Sequence, residues 1–226
     1  GRYIRSDLKL NTFSSGEAAS SFAVDLSGYY QSEEKTYDAF NGRWRAGFNL
    51  SNIGPKLKYD EGGRENFLPT NMRLGGGFEF ILDVYNSVSF NVEINKLLVP
   101  TPSEPIYNSD ETQIIGYNQP DVSFLSGIFK SFSDAPDGFS EELKEFTWAL
   151  GLEYWYNQSF AFRAGYFNES EEKGARKLLT FGAGFKYNTV DVDLSYLISA
   201  SKVVSPLENT LRFSLTFNFG DKFEYY

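Results

Sequence analysis

Hydrophobic and polar residues alternate along most of this 226-residue chain, a pattern that predicts β-strands with one apolar and one polar face. The clearest run lies near the C-terminus, where Leu211, Phe213, Leu215, Phe217 and Phe219 alternate with polar side chains. The same period recurs upstream and predicts about ten strands of roughly ten residues each, joined as an up-and-down meander. We place these strands at residues 4–10, 22–30, 44–50, 74–82, 88–94, 148–156, 160–166, 179–187, 190–198 and 211–219.

The apolar positions of these strands are unusually rich in rings. Aromatic residues make up 18% of the chain, and several, such as Trp148, Tyr154 and Tyr187, lie near predicted strand ends. A water-soluble β-sandwich has shorter strands and buries mainly Val, Ile and Leu. Strand length and ring content therefore favour an antiparallel transmembrane β-barrel of the outer-membrane type, with apolar side chains against hydrocarbon and polar ones lining a hydrated interior.

The connections between the strands are of two lengths, which indicates an orientation. Short turns are predicted at 84–86, at 157–158 and at 188–189, all on one side of the sheet. Longer segments are predicted on the other side, at 54–70, 99–145, 168–176 and 201–208. Short periplasmic turns and long external loops are typical of outer-membrane barrels. The segment 33–41 is an exception, being longer than a turn on the periplasmic side.

The longest segment, 99–145, carries helical signals. After Pro120 and Asp121, apolar residues recur at helical spacing from Val122 to Phe132, and Ser140 precedes a second helical start. The apolar residues of this segment allow two interpretations: they pack on one another or over the barrel mouth, or they offer an exposed patch to a partner. These residues are Phe124, Ile128, Phe129, Phe132 and Phe139.

Composition excludes several functions. The chain has no Cys and no His, which rules out thiol nucleophiles, Cys/His metal sites and histidine-based catalysis. Its net charge of -9 argues against nucleic-acid binding. We interpret the carboxylate pairs Glu141-Glu142 and Asp60-Glu61 as solvated charge, and Asp191 with Asp193 as part of a wet wall. The glycine run after Leu74 lacks the rest of a phosphate loop. We therefore predict no catalytic residue, cofactor or metal.

Several longer motifs carry a resemblance to a known family. They are Asn41-Gly-Arg-Trp-Arg-Ala-Gly-Phe-Asn-Leu-Ser-Asn-Ile-Gly-Pro-Lys-Leu-Lys-Tyr59, Asn95-Lys-Leu-Leu-Val-Pro-Thr-Pro102, Ser133 to Glu145, Tyr154-Trp-Tyr-Asn157, Arg163-Ala-Gly-Tyr-Phe-Asn-Glu-Ser170 and Pro206 to Leu215. In this order they resemble the PorV (LptO) family, an outer-membrane component of the Bacteroidetes type IX secretion system. The resemblance covers nearly the whole chain.

The resemblance implies a FadL-like barrel of about fourteen strands, more than the chain's pattern supplies. We therefore expect residues 1–226 to form a single outer-membrane barrel domain that lacks about four N-terminal strands, with 99–145 as a long, partly helical extracellular loop. Closure by this chain alone would require Ile4 to Leu10 to pair with Leu211 to Phe219, the less favoured arrangement. Unpaired sheet edges are not tolerated in lipid.

The resemblance also implies a function. Members of the family are non-enzymatic shuttle proteins that bind the giant translocon barrel (SprA or Sov) and the C-terminal sorting domains of cargo. They deliver cargo to the surface attachment complex that contains the PorU sortase. Partner contact is expected at Leu97, Leu98, Val99, Pro100, Pro102, Phe124, Ile128, Phe129, Phe132 and Phe139. Two alternatives stay open: a FadL-type channel for hydrophobic small molecules, and lipopolysaccharide O-deacylation, which the family's other name suggests.

Overall fold

The chain folds as an antiparallel β-sheet protein with two short helices. The structure, a computed structural model, describes residues 1–6, 18–58, 65–101, 104–108, 110, 112–118, 121–136, 138–201 and 207–219. Among these residues no helix is long and apolar enough to span a membrane.

Ten strands follow one another through the main sheet in chain order. They are β1 (Arg2–Ser6), β2 (Ala19–Gln31), β4 (Asn41–Ile53), β7 (Asn71–Ile81), β8 (Asn86–Leu97), β11 (Phe146–Tyr156), β12 (Phe160–Asn168), β13 (Lys177–Tyr187), β14 (Val190–Ser199) and β15 (Thr210–Phe217). The predicted all-β, up-and-down fold and its strand count are thereby confirmed. The sheet is open, with β1 and β15 as the ends of the strand order. The part of the first predicted strand beyond Ser6 lies outside the described residues.

The remaining elements are short. β3 (Lys35–Thr36) pairs with the start of β4, which accounts for the longer connection at 33–41. β5 (Leu57–Lys58) pairs with β6 (Glu65–Asn66), and β9 (Glu104–Tyr107) pairs with β10 (Ile114–Asn118). The helices α1 (Phe124–Lys130) and α2 (Phe139–Lys144) lie between β10 and β11.

The rings of the strands point away from the sheet into the surroundings. Phe162 of β12 is 59% exposed, whereas its neighbour Ala161 is 1% exposed, and Phe181 of β13 is 52% exposed. Seven alanine and leucine residues are buried in the described part of the chain, and four of them are Ala19, Ala23, Leu57 and Leu68. The large apolar side chains of the strands therefore form an outer face and not a buried core.

The opposite face of the sheet carries paired charges. Arg163 of β12 donates from Nε to Glu153 Oε2 at 2.5 Å and from a terminal nitrogen to Asp193 Oδ1 at 2.5 Å. Asp191 accepts a hydrogen bond from the Asn218 side chain at 2.9 Å. Both aspartates thus lie on the polar face with polar partners, and no group of three metal-ligating side chains occurs among the described residues.

Two of the three predicted short turns differ in detail from the structure. Tyr187 pairs directly with Val190, so the turn at Asn188 and Thr189 has two residues as predicted. The turn after Tyr156 has three residues, because Tyr156 pairs with Phe160. The turn predicted at 84–86 occupies 82–85, where the Asp83 carboxylate accepts from the backbone N–H groups of Tyr85 and Asn86. Hydrogen bonds from Asn86 are the main cause of the lowered pKa of Asp83.

Both helix starts differ from the predicted ones. α1 begins after Ser123, whose hydroxyl accepts from the backbone N–H of Ser126 at 3.2 Å, so that Ser123 and not the Pro120-Asp121 pair is its N-cap. Pro120 lies outside the described residues. α2 follows Gly138 at φ 76°, a backbone conformation that glycine adopts at little cost, and Ser140 lies inside the helix.

The chain divides into two compact units. The first contains residues 1–28, 48–73 and 95–146, and it holds both helices and a small buried cluster of Ala19, Ala23, Leu57 and Leu68 with Ile4 packed against it. The second contains residues 29–47, 74–94 and 147–226, and it holds the strands β12 to β15. A group of rings in contact with one another belongs to the second unit and consists of Tyr37, Phe40, Trp44, Phe78 and Phe80.

Candidate partner-binding site

The end of β8 and the helical segment 121–146 come together in the first unit. Leu98 follows β8, is buried, and donates its backbone N–H to the Thr70 carbonyl at 2.7 Å. Pro100 is also fully buried. Gly127 of α1 packs closely here, because an added Cβ would lie 3.1 Å from Pro100 Cγ and 2.7 Å from Phe67 Cε1. Pro100 and Phe67 therefore form part of the surface against which α1 packs.

A buried lysine connects β8 to the second helix. The Lys96 ammonium donates to Glu142 Oε1 at 2.6 Å and to Glu145 Oε2 at 2.7 Å. The Thr101 hydroxyl donates to the other oxygen of Glu145 at 3.1 Å. The rings of Phe146 and Phe132 lie 5.0 and 5.8 Å from Lys96 Nζ, within the range of a cation–π contact. We call Lys96, Thr101, Glu142 and Glu145 the Lys96 network.

Asp134 adds a further carboxylate beside this network. Its Oδ2 accepts from the Thr101 backbone N–H at 3.0 Å, while its Oδ1 is buried and accepts no hydrogen bond within the described part of the chain. Burial is the main cause of the raised pKa of Asp134, and the negative charges of Glu142 and Glu145 raise it further.

The structure distributes the predicted partner-binding residues over three environments. Leu97, Phe129, Phe132 and Phe139 are exposed, and the rings of Phe129 and Phe139 are 75% and 77% exposed. Val99, Phe124 and Ile128 are half-buried. Leu98 and Pro100 are buried, and Pro102 lies outside the described residues. The segment thus contains both half-buried and exposed apolar side chains, and partner binding by the exposed ones stays a prediction.

We call the exposed apolar side chains of this region the apolar set. The apolar set consists of Leu97, Leu125, Phe129, Phe132, Phe139 and Leu143. Leu125 and Leu143 were not among the predicted contact residues, although both lie at exposed positions of the two helices. Contiguous exposed apolar patches mark surfaces that contact another molecule, and these six side chains are the candidates for such a patch in this segment.

The prediction that Glu141 and Glu142 are solvated charge is wrong for Glu142. Glu142 is 4% exposed and is paired with Lys96. Asp60 and Glu61 lie outside the described residues. Sequence reasoning also missed Lys96 itself. The available signal was weak: a single lysine at a strand end before Leu97, Leu98 and Val99, and two glutamates three residues apart on one helix face.

A second ion pair fixes the connection between β12 and β13. Glu169 is buried and accepts from Arg176 Nε at 2.6 Å and from a terminal Arg176 nitrogen at 2.8 Å. These hydrogen bonds lower the pKa of Glu169 and raise that of Arg176. Gly174 approaches the Glu169 carboxylate so closely, at φ 144°, that a Cβ would meet it. This motif orders the connection without offering an accessible reactive group.

The fold is that of an all-β, up-and-down protein of the barrel type, with its large apolar side chains outside and an ordered helical segment at one connection. Residues 1–104 match the family described as Type IX secretion system protein PorV. This match, over a little under half of the chain, supports the resemblance to the PorV family that the motifs predicted, and with it a link to type IX secretion. The matched range includes Leu97 to Thr101, whereas Ser133 to Glu145 lies beyond it. No curated protein matches the chain.

Proposed function

We propose that this protein is a non-enzymatic outer-membrane component of type IX secretion that binds the translocon barrel and the C-terminal sorting domains of cargo. It passes the cargo to the attachment complex that contains a PorU-type sortase. The observation that carries this proposal is the match of residues 1–104 to the PorV family. The absence of His and Cys from the whole sequence supports a non-enzymatic role.

The outward rings of the sheet support the outer-membrane location. Apolar side chains such as Phe162, Phe181 and Phe213 are more than half exposed, which is costly in water but favourable against hydrocarbon. Their polar neighbours pair with one another on the other face, as Arg163 does with Glu153. This division of the two faces is the one that outer-membrane barrels show.

The apolar set supports partner contact at the helical segment. Its most exposed members, Phe129 and Phe139, are large rings held on two ordered helices. Aromatic side chains of this kind contribute most of the binding energy of many protein interfaces. We therefore place the contact with translocon or cargo on this set.

Affinity capture tests the proposal. The full chain carrying Phe129→Ser and Phe139→Ser is purified in detergent from its native membrane, and the proteins that accompany it are identified by mass spectrometry. We expect recovery of translocon and sorting-domain proteins to fall by about tenfold or more, the loss typical of removing two interface rings. Tyr85→Ser, which removes an exposed ring from the turn at 82–85, is the matched control.

The same experiment separates the alternatives. If the double variant and the control recover equal amounts of translocon and sorting-domain proteins, the apolar set is not the contact site. If the unaltered protein recovers neither translocon nor sorting-domain proteins, the shuttle function is wrong. Uptake of a lipophile would then favour a FadL-type channel, and deacylation of lipopolysaccharide by the purified protein would favour the enzyme.

A further inference from the structure

Lys96 is a charged side chain in a buried position, where a charge loses the free energy of its hydration. It is 1% exposed at the end of β8, and its ammonium contacts carboxylates 46 and 49 residues further along the chain. We propose that Lys96 is a positioning residue: it fixes the helical segment to β8 and thereby holds the apolar set in its binding arrangement. This inference rests on the proposed function only where it concerns partner binding.

Apart from the close packing of Gly127 on Pro100 and Phe67, the two helices bury few side chains. α1 has seven residues and α2 has six, and isolated helices of this length are unstable in water. The buried residue of α1 is Gly127, and that of α2 is Glu142, which belongs to the Lys96 network. The apolar side chains of both helices are therefore mostly unavailable for packing. The polar contacts of Lys96 take the place that a buried apolar face has in an ordinary helix.

The geometry of the Lys96 network suits an anchor. Glu142 lies in α2, and Glu145 is the residue at its C-terminal cap, so the two carboxylates hold the end of the helix against β8 from one cation. Thr101 donates to Glu145 through its hydroxyl and to Asp134 through its backbone N–H. Glu142 also accepts from the Ala135 backbone N–H at 3.4 Å. One network thus reaches the strand end, the connection between the helices, and α2.

The apolar set lies next to the residues that this network fixes. Leu97 follows Lys96 directly, and the Phe132 ring lies over the Lys96 ammonium. Phe139 is three residues before Glu142 at the start of α2. We therefore expect loss of the Lys96 contacts to displace these exposed side chains.

Lys96→Met tests the anchor, because Met has a similar length and removes the charge. Removal of one partner leaves the buried carboxylates uncompensated, which is more disruptive than neutralising the whole network. The variant Lys96→Met with Glu142→Gln and Glu145→Gln therefore provides the comparison. Lys130→Met, which removes an exposed lysine from α1, is the matched control.

Two readouts on the full chain in detergent are needed. Hydrogen exchange of the 124–145 amides reports the anchor, and binding of a purified cargo C-terminal sorting domain reports its use. We expect Lys96→Met to speed exchange at 124–145 by at least tenfold while exchange in β12 to β14 is unchanged, and to weaken binding by a similar factor. The triple variant should recover part of both effects, and Lys130→Met should change neither.

Each contrary result has a separate meaning. Unchanged exchange at 124–145 in Lys96→Met overturns the anchor, whatever binding does. Faster exchange with unchanged binding would show that Lys96 does not position the apolar set, because the set would then bind the sorting domain without being held in place. If the unaltered protein binds no sorting domain, the proposed function fails while the exchange result still decides the anchor. Should Lys96→Met fail to fold, Glu145→Gln replaces it and should give a smaller effect in the same direction.

Discussion

Asp134 is a single side chain whose burial makes the helical segment sensitive to pH. Because its pKa is raised in the folded protein, the carboxyl binds a proton more readily when folded than when unfolded. The stability that this proton binding contributes is therefore complete at pH values below 3.8, the ordinary pKa of an aspartate. It is lost as the pH rises through the pKa of Asp134 in the folded protein. The groups that face Asp134 are Glu142, Glu145 and the Thr101 N–H.

We predict that Asp134→Asn stabilises the helical segment at pH 7, by less than about 1 kcal/mol. The amide keeps an oxygen for the Thr101 N–H and removes a negative charge beside two glutamates. Hydrogen exchange of 121–136, corrected for intrinsic rates, should be slower in the variant at pH 7 and should differ less from the unaltered protein at pH 5. If the variant exchanged faster at pH 7, the negative charge of Asp134 would not be what destabilises the helical segment.

Gly54 is required for a close backbone contact. A Cβ at this position would lie 2.1 Å from the Phe22 carbonyl oxygen, which belongs to β2 and cannot turn away. We predict that Gly54→Ala lowers the free energy of unfolding by about 1–3 kcal/mol, the usual cost of overpacking. At Gly76 a Cβ would come no closer than 3.9 Å to the Arg45 carbonyl oxygen, so Gly76→Ala should be nearly neutral. Denaturant unfolding in detergent compares the two variants.

At the scale of the strand, side-chain alternation decides which substitutions are tolerated. β13 pairs with β12 and β14 along its length, with Phe181 on the outer face and Thr180 on the polar face over Gly165. We predict that Phe181→Arg costs about 2–4 kcal/mol in a bilayer, whereas Thr180→Arg costs much less. Folding into lipid vesicles, followed by denaturant titration, measures both. Equal costs would show that the outer face does not contact lipid.

The strands were predictable from the sequence because alternation is a local signal. Each strand needs only its own residues to show which side chains share a face, and the ten strands of the main sheet overlap the ten predicted ranges, the first of them only over residues 4–6. Turn lengths were harder to predict, because they depend on the register between paired strands. The turn after Tyr156 includes Ser159, because Tyr156 pairs with Phe160. The start of α2 was missed because its N-cap, Gly138, has no side chain to act as a signal.

The candidate site was predictable only in outline, since its organising contact is not local. The sequence indicated that 97–102 and 124–145 contain apolar residues for a partner. Lys96 pairs with Glu142 and Glu145, and nothing near Lys96 in the sequence identifies these two glutamates as its partners. A buried ion pair between distant residues has no periodicity, so neither the burial of Glu142 nor that of Leu98 could be inferred.

For the whole molecule in the proposed outer-membrane location, the alternation of short turns and longer connections predicts an orientation. Within the second unit, β13 joins two connections of different kinds. Asn168 pairs with Lys177 at the connection 169–176, and Tyr187 pairs with Val190 at the two-residue turn. Eleven residues of strand separate them, roughly 36 Å at about 3.3 Å per residue, which is enough for a tilted strand to cross the hydrocarbon layer.

We predict that an epitope tag inserted between Glu171 and Glu172 is accessible on intact cells, whereas a tag between Asn188 and Thr189 is accessible only after the outer membrane is permeabilised. Both sites are exposed in the structure, so accessibility of the folded chain does not distinguish them and the membrane must. Antibody labelling of the two variants, each expressed at the same level, measures the difference. Labelling of both tags on intact cells would show that β13 does not cross the membrane. The reversed pattern would show that the connection 169–176 faces the periplasm, contrary to the predicted orientation.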